Sequence, residues 1–216
     1  MNEHELATMR HEYGLENLRV ESFASDPFTQ FSDWFTIAIE NRVEEPNAMV
    51  LATTDSEGRA RARTVLLKSV DARGFCFFTN QHSQKGRDLA ANPHGSIVFP
   101  WYHLERQVVA WGEVEPTSDS ESDEYFQLRP EEARIGAWAS AQSEEVASRE
   151  VLVEAFASYA ERFSDGEIPR PDHWGGYRLI PTEVEFWQGG QHRLHDRLVY
   201  RRITSADRWR IVRLAP

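Results

Sequence analysis

This chain of 216 residues has very little cysteine and very little lysine. Its single cysteine, Cys76, excludes a disulfide within the chain, and its position in the apolar run Phe75–Phe78 favours a small core residue over a nucleophile. The basic residues number 24, yet only Lys68 and Lys85 are lysine. Either drift in composition left two lysines by chance, or both positions need a compact ammonium that the planar guanidinium of arginine does not imitate. We favour the second interpretation, because each lysine lies in a segment with other phosphate-binding features.

Long apolar runs are missing as well. No run approaches the length of a membrane span, and the polar, acidic N-terminus has no signal-peptide core. We therefore expect a cytoplasmic protein that does not bind a membrane. The net charge of −11 argues against a general binder of nucleic acid or of anionic membranes, because the sequence-independent affinity for such partners needs an excess of cations.

Several standard nucleotide-binding and hydrolase motifs are absent from the sequence. There is no G-x-G-x-x-G after a predicted strand, no Walker loop and no G-x-S-x-G elbow. A nucleotide phosphate would therefore have to be held by side chains. The set that could suggest a metal, His192, His195 and Asp196, is small and falls in a predicted turn, so we expect no metal site.

Hydrophobic periodicity and turn signals predict a mainly β fold with peripheral helices. Asp26-Pro27 predicts the start of a helix that runs to about Glu44. Further helices are predicted to begin at Ser83, Ser118 and Ser143, the last of them running to about Phe163. Short strands are predicted at 49–54, 61–68, 75–79, 96–102, 106–114, 177–188, 197–203 and 209–214. This pattern indicates a barrel or a sandwich. We expect residues 1–25 to form a mobile segment and residues 26–216 to form one domain.

The predicted hairpin at Glu185–Arg197 brings an unusual set of side chains together. Trp187, Arg193, His195 and Arg197 surround a Gly189-Gly190 turn. Such a set suits a planar, anionic, nitrogen-containing ligand, because tryptophan stacks, arginine binds oxygens in a fork and histidine exchanges a proton. The alternative is an ordinary hairpin with a half-buried tryptophan and a solvated arginine face.

The two lysine segments are candidate phosphate sites. Arg63 and Lys68 lie in one predicted strand and differ by an odd number of positions, so in a regular strand they point to opposite faces unless a bulge intervenes. Lys85 lies at the predicted start of a helix, where backbone N–H groups and the helix dipole favour a phosphate. The alternative for each segment is a solvated strand edge or helix face.

A series of motifs in consistent order, from about Arg10 to Pro216, resembles pyridoxine 5′-phosphate oxidase. These motifs are Arg63–Lys68, Phe78–Asn80, Leu104–Val108, Ile135–Trp138, Gln142-Ser143, Trp174–Tyr177, Glu185–Gly189, Arg193–Arg197 and Arg213–Pro216. The resemblance implies an FMN-binding split β-barrel and a homodimer with FMN at its interface. It also implies that oxygen is the acceptor in the oxidation of pyridoxine or pyridoxamine 5′-phosphate to pyridoxal 5′-phosphate, with release of hydrogen peroxide.

The resemblance also implies roles for individual residues. The implied FMN contacts are Arg63, Val65, Leu66, Lys68, Phe78, Thr79, Lys85, Gln107, Gln142, Ser143, Trp187 and Arg197. The implied substrate contacts are Arg10, Tyr13, Lys68, Tyr125 and Arg129, with Arg193 and His195 placed over the pyridine ring as the catalytic pair.

Two positions depart from the family pattern. Gln84 stands where the family often has arginine, and Ala133 stands where it has a serine that contacts the substrate phosphate. We hypothesise that Arg87 or Arg134 compensates. Two other functions stay open on the sequence alone: a related FMN oxidase of another aromatic substrate, such as those of phenazine biosynthesis, and a non-catalytic carrier of flavin or pyridoxal phosphate.

Overall fold

A computed structural model describes residues 12–15, 17–203 and 208–216. The first α-helix, α1, spans Pro27–Glu40, and the Asp26 side chain accepts hydrogen bonds from the backbone N–H groups of Phe28 and Thr29, as its N-cap position predicts. The helix ends at Glu40 rather than at Glu44. Arg42 takes a left-handed conformation (φ 55°), and the N–H of Val43 bonds back to the carbonyl of Ala38, which is the geometry of a Schellman motif.

The remaining elements follow the predicted order. The strands are β1 (Ala48–Thr54), β2 (Ala60–Leu66), β3 (Ser69–Asp71), β4 (Gly74–Asn80), β5 (His94–Trp101), β6 (Arg106–Pro116), β7 (Trp174–Gln188), β8 (Asp196–Ile203) and β9 (Arg208–Arg213). The other α-helices are α2 (Gln84–Ala91), α3 (Asp119–Gln127), α4 (Glu131–Ala139) and α5 (Arg149–Arg162). The capping box predicted at Ser118 and Glu121 is present at the start of α3. No helix of the described residues has the length and apolar character of a membrane span.

β1 pairs antiparallel with β2, and β3 with β4, but β4 lies beside β7 and not beside β2. In the sheet the strand order is β2-β1-β5-β6-β7-β4-β3, with β8 paired to β7 and β9 paired to β8. The strand predicted at 61–68 is shorter in the structure, because β2 ends at Leu66 and the N–H of Lys68 bonds to the carbonyl of Cys76 on β4. The alternation argument for Arg63 and Lys68 therefore does not apply, since the two residues do not share one regular strand.

The described chain divides into two compact units, each with its own core. Unit 1 comprises the described residues of Met1–Pro46 together with Val98–Ala110 and Pro181–Pro216, and aromatic residues such as Phe31, Phe99 and Tyr200 are buried in it. Unit 2 comprises Asn47–Ile97 and Trp111–Ile180. A buried cluster of Phe126, Ile135, Ile168 and Trp174 packs beneath the helical part of unit 2.

The region after Pro130 differs most from prediction. Residues 131–139, expected only to be a short segment, form α4. The long helix predicted from Ser143 begins instead at Arg149, and every residue of the intervening loop 140–148 is exposed. Ser143 does not cap α5. Its hydroxyl oxygen accepts a hydrogen bond from the N–H of Gln84, the first residue of α2, so a contact far away in sequence overrides the local capping signal.

Glycine is required at one helical position and not at another, which gives a test of the packing around α2. A Cβ atom added at Gly86 would lie 1.9 Å from the backbone oxygen of Gln81, whereas one added at Gly136 in α4 would meet nothing within 4 Å. We expect Gly86→Ala to lower the free energy of unfolding by about 1–3 kcal/mol through overpacking. Gly136→Ala should raise it by up to about 1 kcal/mol, because alanine favours a helix. Denaturant unfolding of both variants checks this, and equal effects would contradict the packing.

Candidate functional site

A cleft in unit 2, with a volume of about 760 Å³, is lined by residues from both lysine-bearing segments. The ends of β2 and β4, the residue before β3, the start of α2, helices α3 and α4 and the loop after α4 all contribute to it. Its lining includes Val65, Leu66, Lys68, Phe78, Thr79, Lys85, Tyr125, Arg129, Ala133 and Gln142. Two short lysine-bearing segments that are separate in sequence therefore meet in one cleft.

Lys85 is the buried cation of this cleft, and only 8% of its surface is exposed. Its ammonium nitrogen donates to the Thr79 hydroxyl at 3.0 Å, the Ser83 hydroxyl at 3.1 Å and the Gln142 amide oxygen at 2.7 Å. All three acceptors are neutral, and Lys85 forms no ion pair with any described residue. Burial, and after it the nearby charge of Arg63, lowers the pKa of Lys85 to about 8. The position thus holds a desolvated positive charge that no carboxylate neutralises.

Arg129 is a second uncompensated cation in the cleft. Its guanidinium lies over the Trp174 ring, 4.6 Å from the ring centroid, and over the Phe126 ring at 5.6 Å. One terminal nitrogen, Nη1, is buried and has no hydrogen-bond partner among the described residues. Because buried donors are almost always paired, this atom points to a ligand oxygen. Burial lowers the pKa of Arg129 below its usual range.

Lys68 completes the set of cations, with its ammonium 5.9 Å from the centroid of the Tyr125 ring. The described residues that line the cleft include no aspartate or glutamate. In a chain of net charge −11, three cations gathered without a carboxylate form a strongly anion-attracting site. Such a cleft fits a ligand that carries one or more phosphate groups.

Arg63 does not line this cleft. Its guanidinium donates to the Thr53 hydroxyl at 2.7 Å and lies 3.5 Å from the carboxylate of Asp88, which is almost fully buried. Burial alone would raise the pKa of Asp88, but hydrogen bonds from Gln84 and Thr53 and the charges of Arg61 and Arg63 hold it below its usual value. The Asp88 carboxylate therefore balances the arginines of β2, and it leaves Lys85 without a charge partner.

A flat aromatic wall supports the cleft, and of its three rings only Trp174 was not among the predicted site residues. The Phe78 ring stacks on Tyr125 at 4.2 Å and on Trp174 at 5.6 Å between centroids. Gly176 is needed for this stack, because a Cβ atom there would lie 2.6 Å from the Phe78 ring. Trp174 belongs to the motif Trp174–Tyr177, and that motif was the available sequence signal for its role.

The hairpin of unit 1 does bring Trp187 and His195 together, with ring centroids 4.9 Å apart. Tyr13 packs edge-on to both rings, at 5.7 and 5.4 Å, and its ring lies against Gly189, where a Cβ atom would clash at 2.4 Å. The N–H of Gly190 donates to Nδ1 of His195 at 3.1 Å. Nδ1 is then an acceptor, so the imidazole carries its hydrogen on Nε2 in this arrangement.

The other predicted residues of unit 1 lie around this aromatic group. Gln107 lines a cleft of about 640 Å³ with Tyr13 and Trp187. Arg193 is exposed, has a left-handed backbone (φ 61°) and lines a cleft of about 660 Å³ that also includes Tyr13.

Arg197 and Asp196 are already engaged by charged partners. Arg197 forms a two-point ion pair with Glu185 at 3.0 and 2.7 Å, which raises its pKa. Asp196 is ion-paired with Arg213. The described residues contain no cluster of metal-binding side chains. Arg10 lies outside the described residues.

Comparison with known proteins places the chain in a family. The model described as pyridoxamine 5′-phosphate oxidase matches residues 35–162, and the model described as the pyridoxine 5′-phosphate oxidase C-terminal dimerisation region matches residues 174–216. The chain belongs to the pyridoxamine 5′-phosphate oxidase family. A protein from Cupriavidus necator, named pyridoxine/pyridoxamine 5′-phosphate oxidase, is 53% identical over 212 residues, which is 98% of this chain and 99% of the relative.

Solved structures confirm the predicted fold of this family member. PhzG from Burkholderia lata, crystallised with tetrahydrophenazine-1-carboxylic acid, has a TM-score of 0.88 and 33% identity, and covers 95% of this chain and all of its own. A pyridoxamine 5′-phosphate oxidase-related, FMN-binding protein from Nostoc punctiforme has a TM-score of 0.70 at 16% identity, covering 90% of this chain and all of its own. The fold is therefore the mainly β split barrel with peripheral helices that the motifs implied.

The two departures from the family pattern have clear positions in the structure. Ala133 lines the unit 2 cleft. Gln84 lies at the start of α2 and donates to Asp88 at 2.8 Å. Neither arginine that was considered as a substitute lines the cleft: Arg87 is paired with Glu144 at 2.8 Å, and Arg134 donates to Gln127 at 2.9 Å. Compensation by either one stays an untested hypothesis. Arg87 is engaged elsewhere, whereas Nε of Arg134 is buried without a hydrogen-bond partner among the described residues.

The lowered pKa of Lys85 predicts a pH dependence of stability in the flavin-free protein. Between about pH 8 and pH 10.5 the unfolded chain keeps the Lys85 proton and the folded chain has lost it, so the unfolded state binds more protons and stability rises with pH. Relative to Lys85→Met, the wild-type protein should gain up to roughly 3 kcal/mol across this window. Urea unfolding at several pH values checks this, and a constant difference between the two proteins would contradict it.

Proposed function

We propose that this chain is a pyridoxine/pyridoxamine 5′-phosphate oxidase that uses FMN. It would oxidise pyridoxine 5′-phosphate or pyridoxamine 5′-phosphate to pyridoxal 5′-phosphate, with oxygen as acceptor and hydrogen peroxide as product; the amine also consumes water and releases ammonia. The observation that carries the proposal is the unit 2 cleft, where Lys68, Lys85 and Arg129 are gathered without a carboxylate among the described lining residues. Two phosphorylated ligands account for these cations better than one.

The residues present fit the phosphate of FMN at Lys85. The ammonium of Lys85 is desolvated, and its hydrogen-bond acceptors are neutral. Thr79 and Gln142 lie beside it, where their side chains would also contact the oxygens of a bound phosphate. The start of α2 adds the partial positive charge of a helix N-terminus. Bound FMN supplies the hydride acceptor and passes electrons to oxygen, while the protein supplies position and electrostatics.

Lys68, Tyr125 and Arg129 fit the phosphate of the substrate. The unpartnered Nη1 of Arg129 offers a donor already desolvated by Phe126 and Trp174, so its hydrogen bond to a phosphate oxygen would be strong. Tyr125 lies beside Lys68 and stacks on Phe78, which fixes the position of its ring. The loss of the family serine at Ala133 removes one hydrogen bond to a charged group, a cost of about 1.5–3 kcal/mol, and leaves the charged contacts in place.

The hairpin of unit 1 fits the planar ring of the vitamer. Arg193 is exposed and has no described partner, so it is available to orient a ring and balance its charge. His195 presents Nε2–H as a donor because its Nδ1 is occupied by the N–H of Gly190. We assign His195 a hydrogen bond or proton relay, and not the role of an essential base, since the flavin accepts the hydride.

We further propose that the protein is a homodimer with FMN at the subunit interface. The match of residues 174–216 to a dimerisation region supports this assembly, and Trp187 and Arg197 of the predicted FMN set lie in that region. Residues 26–216 would form the single split-barrel domain. The lone, buried cysteine suits a reducing cytoplasm.

The phenazine-type alternative draws support from one observation, the structural similarity to PhzG. Two findings favour the vitamer phosphate instead. Relatives named pyridoxine/pyridoxamine 5′-phosphate oxidase are more similar in sequence, and the cations of the cleft exceed the need of one flavin phosphate.

Spectroscopy and turnover test the proposal directly. Purified protein should show the visible absorption of bound FMN, or acquire it on addition of FMN. With oxygen and pyridoxine 5′-phosphate it should form peroxide and an aldehyde in equal amounts. A carrier would bind ligand without forming either product. A phenazine-type oxidase would turn over a reduced phenazine carboxylate in preference to the phosphorylated vitamer.

Arg129→Met should raise the KM for pyridoxine 5′-phosphate by about 10- to 100-fold, because a charge-assisted hydrogen bond to the phosphate is lost while the hydrophobic stem is kept. The kcat should change much less, since the interaction is made equally in the ground state and the transition state. Arg162→Met is the matched control, because Arg162 also lies over an aromatic ring (Trp138, 5.7 Å) but does not line the cleft. Equal changes in both variants would contradict the role of Arg129.

A further inference from the structure

The loop 140–148 between α4 and α5 is held in place by three consecutive side chains. Every residue of the loop is exposed, so apolar burial does not fix it. Gln142, Ser143 and Glu144 each contact a residue at or near the start of α2. These polar contacts therefore decide where the loop lies.

Gln142 and Ser143 complete the surroundings of Lys85. The Gln142 amide oxygen accepts from the Lys85 ammonium at 2.7 Å and from the Thr79 hydroxyl at 3.0 Å. The Ser143 hydroxyl accepts from the N–H of Gln84, which has no partner within its own helix because it opens α2. Ser143 has a left-handed backbone (φ 76°), a costly conformation for serine that persists only when its surroundings enforce it.

The remaining anchor is the ion pair between Arg87 and Glu144, with a separation of 2.8 Å. The same guanidinium donates to the backbone oxygen of His82 at 2.5 Å and to the side-chain oxygen of Gln84 at 3.2 Å. Arg87 thus ties the loop to two points of the segment that carries Lys85. Its nitrogens are directed to these partners, and it does not line the cleft.

We propose that Arg87 and Glu144 are positioning residues that hold Gln142 and Ser143 against the start of α2 and thereby set the affinity of the Lys85 site for the phosphate of FMN. This inference rests on the proposed function. When the ion pair is lost, the loop keeps fewer anchors, the strained Ser143 backbone relaxes, and Lys85 loses its shortest hydrogen bond. A phosphate must then organise the site itself, and that cost appears as weaker binding.

The expected effect is modest because the pair is exposed. The side chains of Arg87 and Glu144 are 46% and 59% exposed, so solvent screens their attraction. Glu144→Gln and Arg87→Gln should each weaken FMN binding by about two- to fivefold. Both changes remove the same ion pair, and Arg87→Gln also removes the hydrogen bonds to His82 and Gln84, so the double variant should bind FMN no more weakly than Arg87→Gln.

The test is a titration of flavin-free protein with FMN for the wild type, both single variants and the double variant. Glu57→Gln is the matched control, because it removes an ion pair of similar exposure (Arg59–Glu57, 3.1 Å) on the β1–β2 turn, and it should leave the FMN affinity unchanged. A second measurement needs no flavin. Hydrogen exchange at the Gln84 amide, which Ser143 covers, should be faster in both loop variants than in the wild type.

The outcomes separate three possibilities. Weaker FMN binding in Arg87→Gln alone, with unchanged exchange at Gln84, would show that Arg87 contacts the phosphate directly and would overturn the positioning role. Unchanged binding and exchange in Glu144→Gln would also overturn it. Failure of the wild-type protein to bind FMN would overturn the proposed function instead, and exchange in the flavin-free protein would still decide whether the pair holds the loop.

Discussion

The buried ammonium of Lys85 is the constraint on which the unit 2 site depends. Transfer of a charge out of water is costly unless it is paired, and among the described residues the ammonium of Lys85 donates to the neutral oxygens of Thr79, Ser83 and Gln142. A folded protein keeps such a group where an anionic ligand completes it. The end of β4, the start of α2 and the loop after α4 each deliver one of those oxygens, so the local structure is organised around a charge that the protein leaves open.

Several other cations of the chain, unlike Lys85, are paired with carboxylates. Arg197 is paired with Glu185, Arg178 with Glu121 and Arg63 with the buried Asp88. The cations that face the unit 2 cleft, in contrast, have aromatic or neutral partners among the described residues. Although the chain is acidic, the described residues that line this cleft therefore include no carboxylate. Both lysines line this cleft, and the arginines supply planar groups that stack or bind carboxylates.

Much of the fold could be predicted because its signals are local. The Asp26 cap, the Ser118 capping box and the turns between short strands act on neighbouring residues, and all of them appear as expected. The predictions that were wrong involve contacts distant in sequence. Ser143 does not start a helix because its hydroxyl is used by Gln84, and Lys68 leaves the strand of Arg63 because its backbone pairs with Cys76.

For the candidate site, too, some features follow from local sequence motifs and others depend on contacts between distant segments. The sequence by itself determined the family and the mainly β architecture, because residue types and their spacing along the chain are sufficient for a motif. Only the tertiary structure decided that Arg63 is paired with Asp88, that Trp174 supports Arg129 and that Arg87 is engaged by Glu144. These facts concern which charge is neutralised by which partner, and that depends on distances between segments that folding alone brings together.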